Sequence, residues 1–144
     1  MKYYITGTRR GLGKYLYDKY DTVDNLEDCD IFINNKHDGF TQVSLLKQAL
    51  KLGKRVINIG SIASDSRAGR KHHIDYAVEK AALERANEYA FYQGYPTTII
   101  KYGYLDTERV AHIEADKMSV EYAASIIDWV LKQPHRIKEI VIDV

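Results

Sequence analysis

Thr6-Gly7-Thr8-Arg9-Arg10-Gly11-Leu12-Gly13 is the stretch of this 144-residue chain that decides its fold. The β-branched and aromatic run Tyr3-Tyr4-Ile5-Thr6 leads into it. Leu12 and Leu16 follow four apart, the spacing of one helix face. Strand, glycine turn and helix in that order open a βαβ unit. The glycines allow a tight turn and let the backbone approach a pyrophosphate seated on the helix N-terminus. The spacing here is G-x-x-x-G-x-G rather than G-x-G-x-x-G, so position after the first strand carries more weight than the pattern itself.

Downstream of the turn, β-rich and helix-periodic runs alternate. Asp21–Asp24 reads as a brief second strand, Asp30–Asn34 as a buried one, Arg55–Ile59 and Thr97–Ile100 as two more, and Ile137–Val144 as the last. Helices are predicted from Gly11 to about Lys19, and over Thr41–Leu52 with Gly53 behind it. A long one runs from Asp75 to about Gln93, and the last over Ser119–Lys132 with Pro134 behind it. About six strands joined through four helices predict an α/β domain: a Rossmann-like, doubly wound parallel sheet with right-handed crossovers. One domain over residues 1–144 suits the length.

The bulk numbers narrow the function classes. Net charge is +1, which argues against nucleic acid as partner. No apolar run is long enough to span a bilayer, and no signal peptide is recognisable, so a cytoplasmic protein is expected. The single cysteine, Cys29, forms no internal disulfide and reads as a structural thiol. His72 and His73 are adjacent and would diverge on a helix, so no metal site is expected.

Tyr76-Ala77-Val78-Glu79-Lys80 places a phenol and an ammonium one helical turn apart. A free phenol titrates near 10, and a neighbouring cation favours its ionised form. Such a pair can exchange a proton with an alcohol or carbonyl. Asn58-Ile59-Gly60-Ser61 ends a strand fifteen residues upstream of Tyr76, and a serine at a strand's C-terminal end faces the ligand crevice of a parallel sheet. Ser64, closer in sequence to Tyr76, is the alternative.

Together these motifs resemble the short-chain dehydrogenase/reductase family, in family order along nearly the whole chain. The resemblance implies that Ser61, Tyr76 and Lys80 are catalytic. It implies a cofactor site at Gly7, Thr8, Arg9, Arg10, Gly11, Leu12 and Gly13, with Tyr76 and Lys80 also touching the cofactor. Asn34-Asn35 resembles the start of the family's N-N-A-G motif, which implies that both support the sheet and line the cofactor, with Lys36-His37 in place of Ala-Gly. Tyr102-Gly103-Tyr104-Leu105-Asp106-Thr107 resembles P-G-x-x-x-T, which implies cofactor contacts at Gly103 and Thr107. Arg10 just before the second glycine favours NADP, because a guanidinium pairs with a 2′-phosphate. Asp24 at the end of the second strand favours NAD by accepting from ribose hydroxyls. The balance leans to NADP.

The chain also departs from the family. Only about twenty residues separate Gly13 from Asn34, so the third strand and its helix are expected to be missing, giving order 2-1-4-5-6-7 in family labels. The family's fourth catalytic residue, an Asn, has no counterpart; Asp38 or Gln42 stands near its place. The segment between Thr107 and Ser119 is short, so a small open pocket is expected, bordered by residues such as His72, His73, Tyr104, His112 and Ile113. The long helix is apolar on more than one face, and the family pairs through it and the Thr41–Leu52 helix. A homodimer or homotetramer is therefore expected.

Three readings follow. The first is an NAD(P)-dependent oxidoreductase that moves hydride between nicotinamide and a small carbonyl or alcohol, with Tyr76 as general acid/base. The second is a non-catalytic nucleotide-binding module or redox sensor. The third is a nucleotide-sugar reductase or epimerase, weakened by the lack of a substrate domain.

Overall fold

A computed structural model describes residues 1–65, 74–107, 110–112 and 116–144. Five parallel strands form one sheet in the linear order β1-β2-β3-β4-β5. They are β1 (Tyr3–Ile5), β2 (Ile31–Asn34), β3 (Arg55–Ser61), β4 (Thr97–Tyr102) and β5 (Glu139–Ile142). Four helices connect them: α1 (Gly11–Lys19), α2 (Thr41–Lys51), α3 (Ile74–Tyr92) and α4 (Val120–Lys132). The sequence predicts about six strands. The one expected over Asp21–Asp24 is reduced to a single parallel bridge, Tyr3 to Thr22, on the edge of β1 away from β2. With that bridge standing for the family's second strand, the sheet follows the shortened order expected, and nothing corresponding to the family's third strand occurs among the described residues.

Side-chain alternation along the central strands feeds two cores. Ile31, Ile33, Ile57, Ile59 and Ile100 pack with Leu12 and Leu16 of α1 and with Ala123, Ala124, Ile127 and Val130 of α4. Phe32, Val56 and Ile99 face the other way, onto Leu46 and Ala49 of α2 and Leu83 of α3. The sheet is thus covered on both sides, which explains why β2 and β4 are buried at every residue.

One expectation needs correction. The crossovers through α2 and α3 advance across the sheet on one face, whereas α4 advances in the same direction on the other face. Its crossover therefore has the opposite hand, against the usual right-handed rule. The cause lies in packing. The apolar stripe of α4 meets α1, and the far side of the sheet is already taken by α2 and α3.

The α1–α4 seam carries a polar clasp. Asp128 accepts a hydrogen bond from the Tyr20 hydroxyl and pairs with Lys19, and Tyr20 stacks on Tyr3 with centroids 4.0 Å apart. Burial works against the Asp128 carboxylate, but Lys19 and Tyr20 outweigh it and hold its pKa below the ordinary value. A carboxyl depressed on folding stabilises the fold above its unfolded pKa, and that contribution is lost as pH falls through the folded value. Asp128→Asn should accordingly cost about 1 kcal/mol at neutral pH, discounted for partial exposure. The deficit should shrink below about pH 3, the range under the unfolded carboxylate value, in denaturant titrations across pH. An equal deficit at pH 7 and pH 2.5 would refute it.

Candidate active site at the C-terminal edge of the sheet

All five strands are parallel, so their C-terminal ends gather on one edge, where ligands bind in open α/β sheets. The turn after β1 needs its glycines. Gly7 and Gly11 have φ of 110° and 52°, a region that L side chains avoid. A Cβ at Gly13 would lie 2.8 Å from the Thr8 carbonyl oxygen. Helix α1 then starts at Gly11 with no side-chain cap and no acidic residue in its first turn. Its first amides thus meet no capping side chain, an arrangement suited to an anion.

The loops after β2 and β4 close on this turn. The Asn35 amide N–H and the Lys36 amide N–H donate to Thr6 Oγ1 at 3.0 and 3.2 Å. A Cβ at Gly7 or Gly13 would lie 3.3 or 3.1 Å from Asn35 Nδ2. Thr107 also arrives here: a Cβ at Gly11 would stand 2.8 Å from its methyl carbon. The two ends of the expected cofactor segment, more than ninety residues apart in sequence, therefore meet.

Other predicted residues lie differently. Asn34 is fully buried beneath the crevice, its Nδ2 donating to the Gln42 carbonyl at 2.8 Å and to Asn58 Oδ1 at 3.0 Å. Gly103 lets Asp143 approach: a Cβ there would fall 2.3 Å from Asp143 Oδ1. Its neighbour Tyr102, in the family's proline position, is buried and donates to the Ala123 carbonyl at 2.6 Å. Arg9 lies on the Tyr17 ring, 3.7 Å from its centroid, and donates to the Tyr17 hydroxyl at 2.5 Å. Arg10 and Asp24 are exposed. His72, His73 and Ile113 fall outside the described residues; His112 is exposed.

Ser61 ends β3, and its Oγ accepts from the Ala63 amide at 3.1 Å, capping a 3-10 turn against which α3 packs. Ser64 is occupied elsewhere, with its hydroxyl 2.9 Å from the Ser61 carbonyl and 2.7 Å from Glu84 Oε2. Glu84 in turn pairs with the buried Lys101 at 3.1 Å. The alternative serine therefore belongs to the packing beneath α3.

Tyr76 and Lys80 share a face of α3, the Lys80 Nζ standing 5.8 Å from the Tyr76 ring centroid. Lys80 is only 4% exposed. Its ammonium donates to Gln42 Oε1 at 3.0 Å and to the Ile59 carbonyl at 3.1 Å. Gln42, equally buried, donates from Nε2 to the Asn34 carbonyl at 2.8 Å and the Ile59 carbonyl at 3.2 Å. Of the two residues expected near the family's Asn, the structure brings Gln42 to the lysine and leaves Asp38 exposed.

Sequence reading passed over His37 except as a replaced glycine. Its ring meets Tyr76 at a centroid distance of 4.7 Å, and its Nε2 lies 3.2 Å from Glu79 Oε2. No group of three or more metal-ligating side chains occurs among the described residues. Nor, among them, is any helix long and apolar enough to cross a membrane.

No protein-family model and no curated protein sequence matches the chain. Solved structures do. A short-chain dehydrogenase from Burkholderia cenocepacia J2315 in complex with NADP superposes with a TM-score of 0.73 at 18% identity, over 97% of this chain and 86% of that one. The angucycline C-6 ketoreductase LanV with bound NADP gives 0.74 at 15%, over 99% and 93%. An alcohol dehydrogenase from the archaeon Thermococcus sibiricus complexed with 5-hydroxy-NADP gives 0.71 at 14%, over 98% and 95%. The chain therefore has the Rossmann-like fold of the short-chain dehydrogenases.

Proposed function

We propose that this protein is an NAD(P)-dependent oxidoreductase of the short-chain dehydrogenase type, acting on a small carbonyl or alcohol. The observation that carries the reading is the Tyr76–Lys80 pair on one face of α3, at the sheet edge where the uncapped α1 N-terminus also lies. The glycine turn fits a dinucleotide: its backbone is open to close approach, and its first helical amides favour the pyrophosphate. Gly7, Thr8, Gly11, Leu12 and Gly13 would hold that group, with Asn35 and Thr107 beside them. Arg10 would meet a 2′-phosphate, and Asp24 the ribose hydroxyls of a cofactor without one. A bound nicotinamide supplies the hydride. The chain's own part is to orient the carbonyl through the Ser61 hydroxyl and to give or take its proton at the Tyr76 oxygen. Lys80 is a buried cation beside the phenol, its Nζ 5.8 Å from the ring centroid.

The reading extends to assembly. A groove of about 590 Å³ runs between α2 and α3, lined by Leu46, Leu50, Ala82, Ala86 and Tyr89 among others. A second copy of the chain on this face would make a symmetric dimer.

A second reading, a nucleotide-binding module without turnover, draws on the seat of Lys80. Two acceptors within the protein already hold its ammonium. Titrating the protein with NADPH and NADH by fluorescence, then supplying a panel of small ketones, separates the readings. The enzyme reading expects binding, preference for NADPH, and turnover. Arg10→Ala should erase most of a preference of about tenfold, the worth of one charge-assisted contact. Binding without turnover favours the module, and failure of both cofactors to bind at millimolar concentration ends both readings.

A further inference from the structure

His37 enters the site from the loop after β2, where the family pattern has a glycine and hence no side chain. Its imidazole bridges to α3 twice. The ring sits against the Tyr76 ring at 4.7 Å with an interplanar angle of 64°, an edge-to-face arrangement. Its Nε2 lies 3.2 Å from Glu79 Oε2, and both side chains are mostly buried. Its Nδ1 is buried and makes no hydrogen bond among the described residues. A buried acceptor left unmet costs stability and needs a reason.

The charge state of the ring follows from its surroundings. Burial, and then the Lys80 ammonium, hold the His37 pKa below its ordinary value; Glu79, the Gln42 amide and Asp38 pull the other way and lose. At neutral pH the ring is therefore neutral, and the approach of its Nε2 to Glu79 is a close polar contact rather than an ion pair. With a carboxylate oxygen 3.2 Å away, the nitrogen favoured to carry the ring proton is Nε2.

We infer that His37 is a positioning residue for Tyr76: Glu79 sets the plane of the imidazole, and the imidazole sets the plane of the phenol. The inference rests on the reading of Tyr76 as the proton-handling group. Ring packing against Tyr76 alone would not require the approach to Glu79 or tolerate an unmet buried nitrogen. A ring held from both sides can keep the Tyr76 oxygen aligned with a bound carbonyl, and loss of alignment is costly in rate even when binding survives.

The test combines turnover with a spectroscopic readout that needs no substrate. In a ¹⁵N-labelled protein, with His37 assigned through His37→Gln, long-range imidazole spectra should show the Nε2–H tautomer at pH 7.5. The titration midpoint should fall below about 6.5, the ordinary histidine value. Glu79→Gln should lower the midpoint further, and Lys80→Met should raise it. With NADPH and a turned-over ketone, His37→Ala should lower kcat about tenfold, a modest loss of alignment. The KM for NADPH should stay within about twofold, since the cofactor's binding energy is left in place. His37→Phe, which keeps the ring contact, should recover more of kcat than His37→Gln. An Nδ1–H tautomer, a midpoint at or above 6.5, or unchanged kcat in His37→Ala overturns the inference. Absence of ketone turnover in the wild-type protein overturns the oxidoreductase reading instead, and the spectra then decide the His37–Glu79 contact by themselves.

Discussion

Tyr76→Phe is expected to lower reduction of a small ketone by at least about 100-fold, the lower end of what a placed general acid contributes. Affinity for NADPH should change by no more than about threefold, since the dinucleotide draws most of its binding from the glycine turn and the α1 amides. The substitution removes one oxygen and keeps the ring that His37 packs against, so the aromatic contact at 4.7 Å survives. Stopped-flow hydride transfer beside equilibrium fluorescence titration gives both quantities. Retained turnover in the phenylalanine variant would move the proton-handling role elsewhere and remove the basis for the oxidoreductase reading. A parallel loss of NADPH binding would instead mean that the phenol belongs to the cofactor seat.

The sequence made the strands legible because each central one is a run of β-branched residues too short and too apolar for anything but a buried parallel strand. Thr22 shows the limit. Its segment carries a strand-like signal, yet it lies on the outer edge of β1 with no further strand beyond it among the described residues, and pairing shrinks to one bridge. The face taken by α4 was not legible either. An amphipathic stripe says that a face is buried, not which side of the sheet receives it. Tyr76 and Lys80 stand one helix turn apart, so their relation is local, and Ser61 is placed by a strand end. Gln42 and His37 act across elements. Asp38 and Gln42 both fall near the start of α2, and only the packed structure decides that Gln42 reaches Lys80. His37 stands out in the sequence only as a replacement of glycine, because its partners, Tyr76 and Glu79, lie some forty residues away.

Gln42→Leu should be among the most damaging single changes to the fold. Leucine is close in volume to glutamine, so no large cavity opens, and the loss is one of hydrogen bonds. The Asn34 and Ile59 carbonyls lose the Gln42 Nε2 donor, and the Lys80 ammonium loses Gln42 Oε1 while keeping the Ile59 carbonyl. Breaking one side of a buried charged contact costs about 3 kcal/mol, which for a domain of this length lowers the melting temperature by roughly 10 °C. Lys80→Met in the same background tests the cause. If the penalty arises from an under-solvated ammonium, removing that ammonium should return part of the stability, and the double variant should be more stable than Gln42→Leu alone. Additive losses would assign the cost to the two carbonyls instead. Stability of Gln42→Leu within about 0.5 kcal/mol of wild type, the range of an ordinary surface change, would mean that Lys80 finds water or another acceptor. The lysine would then be free to turn toward the crevice, and the case for its being held by the protein rather than by a ligand would fall with it.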